Sequence, residues 1–401
     1  MKNHILKILI SALFIQPSFS QNTDVQRSEA EEAYKFTTVV ELKATPVRNQ
    51  SKTGTCWSFA TTSFIESELL RLGKGEYDLS EMFIVRYNYI DRLRDNYLRM
   101  GKGNIGEGGN AHDWIRVFTE HGIVPDEQYT GLNYGSPTHN HGELQKFLSA
   151  VASVSIGLKN ESEQYHKIVD AVLDTYLGKV SESFAYNGVT YTPKTFAQNL
   201  GINTNDYVEI TSFSHFPFYS RGILEIPDNW AMAGFYNVPL NELIEIIDYS
   251  LKNGYTVNWD GDTSEHGFTF AEGVAVNPLN SQSDRDPGTG RSSTGRSLSR
   301  RQSDNFQPEP GSAPEVIVTQ EIRQSGYEDF TTTDDHGMHI TGIVKDQNGT
   351  IYYRTKNSWG TERNSTGGYL NMSESYVRAK TLFIMVNKNG IPPSIRAKLG
   401  I

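Results

Sequence analysis

The 401-residue chain contains one cysteine, Cys56, and it falls where a glycine-containing turn, Gly54-Thr55, meets the start of a helical pattern. At a helix N-terminus the unpaired N–H groups and the dipole favour thiolate over thiol, which lowers the pKa and makes sulfur a nucleophile. The bland alternative is a free cysteine packed as a small hydrophobe. A thiolate attacks productively only if a partner balances its charge and later protonates the leaving group, which is work for a histidine. Six residues upstream, Gln50 lies on the loop that delivers the chain to the helix. Its amide, with the backbone N–H of Cys56, can donate to an oxygen that becomes negative in a tetrahedral intermediate, a contribution of about 2.7–4 kcal/mol per donor. Of ten histidines, His336 and His339 share one probable strand, and period-two geometry sends them to opposite faces. Only one of them can face Cys56. The same split weakens a metal site built from His336 and His339 with Asp334 and Asp335.

The elements that must hold these groups can be read from periodicity. Residues 35–43 alternate enough to suggest a strand, and 56–72 form the first convincing helix, with Ile65, Leu69 and Leu72 on one face, Thr55 as N-cap and Gly73 as its stop. A second helix starts near Ser80, and a third runs from about Ala111 to His121. Helical patterns follow near 144–155, 162–177 and 240–252, and 255–259 reads as a strand. From Val316 onward the pattern is strand-like, with candidates at 337–344, 351–356, 368–372 and 382–386. Helices early and strands late imply two lobes. Residues 280–314 are rich in Ser, Gly, Pro and Arg and read as a flexible loop.

Three segments, in order, resemble the active-site segments of papain-like cysteine peptidases: Pro46-Val47-Arg48-Asn49-Gln50, Gly54-Thr55-Cys56-Trp57-Ser58-Phe59-Ala60, and Lys356-Asn357-Ser358-Trp359-Gly360. The resemblance implies that Cys56 attacks, Gln50 completes the oxyanion hole, and Asn357 orients the catalytic histidine under Trp359. It also implies His336 as that histidine, because a small residue, Gly337, follows it; His339 becomes a strand histidine. Trp57 and Trp359 are supporting residues. Thr53 stands where many members have a disulfide cysteine. The 280 positions from Cys56 to His336 exceed the roughly 130–150 of small members, so an insertion separates them.

That combination is similar to the bleomycin hydrolase and aminopeptidase C branch. Further matches are 79–83, Gly108-Gly109, 121–125, 191–194 and Asp334-Asp335-His336-Gly337-Met338. The resemblance implies an α+β, papain-like two-lobe fold: a helical left lobe, an antiparallel, β-barrel-like right lobe and a large insertion between them. It implies peptide substrates, substrate binding along Gly108 and Gly109, no metal or organic cofactor, a homohexamer, and a C-terminal arm, here 391–401, entering the cleft. A packed tail is the alternative for 391–401. The resulting expectation is a Cys-His-Asn peptidase, an aminopeptidase of bleomycin hydrolase type, against an endopeptidase with an open cleft or a catalytically silent peptide-binding protein.

Composition sets the outer limits. A formal net charge of −10 argues against general nucleic-acid affinity. Residues 1–20, with Lys2 and Lys7 ahead of an apolar run over 8–15, read as a signal peptide, too short to span a bilayer. The expected organisation is a signal peptide at 1–20, a helical left lobe with the nucleophile at 21–135, an inserted mixed region at 136–237, a sheet-rich right lobe at 238–390 and a tail at 391–401. The expected location is exported, periplasmic or secreted, with too little chain before Gln50 for a long inhibitory prosegment.

Overall fold

The fold is organised around the helix Cys56–Arg71, which is buried on all sides from Trp57 to Leu69. Its polar residues other than Ser67 tolerate this because their side chains are hydrogen-bonded: Thr61 donates to the carbonyl of Trp57 and accepts from Asn258, and Thr62 accepts from the Trp114 indole. A buried polar group left without such a partner would cost about 1–3 kcal/mol. The computed structural model describes residues 34–279 and 314–401. The leader expected at 1–20 and nearly all of the loop expected at 280–314 lie outside them.

Helices Glu81–Leu98 and Ala111–His121 pack on this central helix. Each begins on a side chain that satisfies an otherwise open N–H: Ser80 accepts from Phe83, and Asp113 Oδ2 accepts the Asn110 N–H at 3.1 Å. Helices Gly142–Leu158 and Glu163–Leu177 add Leu144, Leu148, Leu173 and Leu177 to the same apolar cluster.

Among the described residues eleven strands form one sheet. Its centre runs Tyr207–Thr211, Thr381–Asn387, Val257–Gly261, His336–Lys345, Ile351–Lys356 and Tyr369–Ser373, each antiparallel to the next. Thr37–Glu41 adds to the histidine-bearing strand. Alternation divides the sheet chemically. Val257 and Trp259 join Ile384, Val386, Met338 and Ile340 in a core against helix Leu240–Lys252, while Phe383 and Met385 join the core of the central helix. Asn258 also faces that helix, through Thr61. Three strands of the region expected as an insertion, Tyr207–Thr211, Arg221–Ile223 and Gly234–Asn237, are part of this sheet.

The strand-like reading beyond Val316 needs correction, because helices Gln320–Glu328, Glu374–Lys380 and Pro393–Leu399 interrupt it. Each has nine residues or fewer, too short for a 3.6-residue period to stand out from neighbouring strands. Residues 391–401 lie as a packed tail, with Ile391, Ile395 and Leu399 buried in the core beside helix Leu240–Lys252. Among the described residues no helix is long and apolar enough to cross a membrane.

Candidate active site

Cys56 is the first residue of the central helix and keeps part of its surface open. Thr55 is the N-cap by position, but its hydroxyl pairs with Thr53, 2.6 Å away, and caps no N–H. The preceding turn holds Gln50, whose Nε2 donates to the Thr53 carbonyl at 2.8 Å while Thr53 Oγ1 returns a bond to the Gln50 carbonyl. Ser51 sits at φ 55°, which tightens the turn. Gln50 is fixed from the far side as well. Ser358 Oγ donates to Gln50 Oε1 at 2.6 Å, and the Gln50 N–H reaches the Ser358 carbonyl. One N–H of the Gln50 amide remains for another acceptor.

His336 opens the strand His336–Lys345, and its Nε2 lies 2.7 Å from Asn357 Oδ1. The same oxygen accepts the Ser358 N–H at 2.7 Å, so it faces the ring as an acceptor and His336 Nε2 carries the proton. Nδ1 is thereby left as the basic nitrogen. Trp359 lies over the imidazole, with ring centroids 4.8 Å apart, and Phe268 and Phe270 support the indole from the edge. These two phenylalanines escaped the sequence reading; no spacing marks them.

The next residue, Gly337, brings the strand to the start of the central helix and Cys56. A Cβ on it would fall 3.3 Å from the Trp57 Cα and 3.4 Å from the Ala60 Cβ, and its backbone N–H faces the Cys56 sulfur. A larger side chain would push the histidine strand off the helix. His339 lies on the helix-facing side of the strand instead, its Nδ1 2.9 Å from Ser63 Oγ. The two histidines have separate partners on separate faces and do not converge on a metal.

Gly108 and Gly109 lie in a tight passage. A Cβ at Gly108 would collide with the Asp228 carboxylate, and one at Gly109 would lie 2.9 Å from the Trp57 ring. The Gly108 carbonyl accepts from Arg92, and Trp57 Nε1 donates to the Glu107 carbonyl at 3.1 Å. The Glu107 carboxylate accepts the Gly54 N–H at 2.6 Å, which ties this segment to the turn before Cys56.

Burial dominates the electrostatics. It pushes the Cys56 thiol up, the Gly337 amide pulls it back, and Asp260, Asp228 and Asp334 push it further up. Burial lowers His336 to about 4, against the Asn357 bond, which raises it. The helix terminus therefore does not act alone on the thiol: burial and the nearby carboxyls oppose it. The acids near Cys56 were not singled out as a substrate feature in the sequence. An aspartate inside the apolar strand Val257–Gly261 is the one signal that could have shown them.

The description "Papain family cysteine protease" matches residues 35–258, more than half of the chain, and "Peptidase C1-like family" matches 326–400. The chain belongs to the papain family of cysteine proteases. Over 413 aligned residues it is 20% identical to "Cysteine proteinase 1, mitochondrial" of Saccharomyces cerevisiae, covering 90% of this chain and 79% of the yeast protein. It is 28% identical over 153 residues to Cysteine proteinase 2 of Entamoeba histolytica, covering 38% of this chain and 46% of that one. Its structure resembles PepW of Lactobacillus rhamnosis with a TM-score of 0.64 at 17% identity, over 91% of this chain and 84% of PepW. The expected papain-like α+β fold and the resemblance along most of the chain are borne out.

The expectation of export is corrected by the same comparison. The yeast relative, aligned with 90% of this chain, is named as a mitochondrial protein. A short apolar run behind two lysines is too small a pattern to fix a destination, and the signal-peptide and secreted reading is withdrawn.

Proposed function

We propose that this papain-family peptidase cleaves peptide bonds at a site made of Cys56, His336, Asn357 and Gln50. Cys56 Sγ attacks the carbonyl carbon as His336 Nδ1 takes the thiol proton. The oxygen, now negative, is held by Gln50 Nε2 and the Cys56 N–H. The C–N bond breaks as His336 returns the proton to the departing amine, leaving a thioester. Water, deprotonated by His336, then releases the acid and restores the thiol. Asn357 keeps Nε2 protonated and the ring in place; Trp359 shields that bond from water. Gly108 and Gly109 offer a close approach to the substrate backbone.

The observation that carries this reading is the 2.7 Å His336–Asn357 bond, made one residue before the Gly337 backbone meets the helix turn of Cys56. The test is hydrolysis of a peptide panel by the wild type and Cys56→Ala. Cleavage by the first alone supports the reading; equal cleavage by both removes Cys56 from it.

Removal of N-terminal residues is the mode we favour, with an endopeptidase as the second reading. The packed tail favours that second reading on one point, because Ile391, Ile395 and Leu399 belong to a core and are not an arm in the cleft. A free-amine peptide compared with its N-acetylated form separates the two modes. Deleting residues 400–401 leaves the products unchanged if the tail has no part in selection.

A further inference from the structure

Hydrolysis does not account for the acids beside Cys56. Asp260 stands opposite Gly337 in the pairing of strands Val257–Gly261 and His336–Lys345. Cross-strand neighbours project to the same face of a sheet, and the face of Gly337 looks onto Trp57 and Ala60. Asp260 is thus aimed at the first turns of the central helix, where the nucleophile sits. It is 3% exposed, and its Oδ1 has no hydrogen-bond partner among the described residues. Asp334, two residues before His336, is close enough to share a proton with it, and Asp334 Oδ2 is likewise buried without a partner. Asp228 completes the group: its backbone N–H faces Asp334, and its carboxylate lies against Gly108.

Other buried acids nearby have cations. Asp113 has Arg116 at 3.3 Å, Glu209 has His112 at 2.9 Å, and Arg92 lies close to Asp228. No Lys, Arg or His forms an ion pair with Asp260 or Asp334 among the described residues. Two carboxyls buried together must hold a proton between them, and a folded chain has nothing to gain from that arrangement alone. A cation entering from the cleft reverses the balance. Its charge stabilises both carboxylates, and the open oxygens accept its N–H bonds.

We infer that Asp260 and Asp334, rimmed by Asp228, form a pocket for a primary ammonium group of the peptide substrate, held beside the bond that Cys56 attacks. The ammonium belongs either to the substrate's N-terminus or to a lysine side chain. This inference rests on the reading of Cys56 as the nucleophile, and it gives selection for a free amine a place on the sheet when the tail is packed elsewhere.

The test uses peptides in matched pairs, lysine against norleucine and free against acetylated N-terminus, with the wild type, Asp260→Asn and Asp334→Asn. The wild type should favour one ammonium-bearing partner by about tenfold or more in kcat/KM, and each variant should lose most of that preference. Preference for the free terminus identifies the α-amine; preference for lysine in acetylated peptides identifies the side chain. Indifference of the wild type to all four forms, or full preference in both variants, overturns the pocket. Thermal unfolding shows whether the variants fold, and if neither does, competition by n-butylammonium against the wild type decides, with no inhibition counting against the pocket. If no peptide is cleaved, the hydrolytic reading fails by itself. Calorimetric binding of the same peptides to Cys56→Ala then decides the pocket: about tenfold tighter binding of an ammonium form sustains it, and equal affinities overturn it.

Discussion

Where the central helix begins, it meets Gly337 with the Cys56 sulfur, an imidazole held by Asn357, and, among the described residues, two carboxyls without ion-pair partners. Two turns further along, the same helix meets the same strand in a closed network. Ser63 binds His339 at 2.9 Å, Lys356 Nζ donates to Ser63 and Thr45 at 2.7 and 3.1 Å, and Thr45 donates to Glu66, which accepts the Leu79 N–H. The cavity there holds about 10 Å³, room for about one water. Burial moves both charged groups toward neutrality, Lys356 down to about 8 and Glu66 up to about 7. In that network, among the described residues, His339 Nε2 is left over. At the near end Asn357 Nδ2, Asp260 Oδ1 and Asp334 Oδ2 all stay open. Of the two ends, the one at Cys56 keeps more unspent hydrogen-bonding capacity, while the other uses its polar groups to lock the strand to the helix.

The contrast is broken most severely by exchanging the fates of the two histidines. His336→Ala should lower kcat/KM by about 10²–10⁴, the range of general acid–base catalysis. His339→Asn should change kcat/KM by no more than a few-fold while lowering the unfolding temperature, because it removes a buried bond outside the site. Next in size, Gln50→Ala should lower kcat by about 10²–10³ with little change in KM, as expected of an oxyanion donor. Steady-state kinetics with one peptide decides both. At the far end, Lys356→Met should leave turnover nearly intact and cost about 1–3 kcal/mol in denaturant unfolding, because Ser63 and Thr45 lose a buried donor.

The smallest effect sharpens the electrostatics. Neutral His336 must accept the thiol proton, so kcat/KM should fall as pH drops through about 4, where the ring fills. Asn357 favours the protonated ring, so Asn357→Ala should move that acid limb to lower pH. It should also slow turnover by up to about 10²-fold through loss of orientation. An acid limb that stays in place would separate Asn357 from the base.

Much of this was legible beforehand for a physical reason. The helices 111–121 and 240–252 and the strand 351–356 carry long, regular periods and came out with their observed bounds. Cys56, Gln50, His336 and Asn357 stood out as candidates because each lies in a short segment that resembles a family motif, and the fold brings His336 to Asn357 and Gln50 to Ser358. The three helices after Val316 were missed because two turns give too little period to outweigh the strands around them. The acids were missed for a different reason. Asp228, Asp260 and Asp334 lie far apart in sequence, and only strand pairing and the absence of a side chain at Gly108 bring them together.

The central claim is that His336 activates Cys56. Its most direct measurement is the rate of Cys56 alkylation by iodoacetamide at pH 6 in the wild type, His336→Ala and His339→Asn. The account predicts labelling of the wild type and of His339→Asn faster than free cysteine, and a drop of about tenfold or more in His336→Ala. Equal rates in wild type and His336→Ala, or a loss confined to His339→Asn, would contradict it.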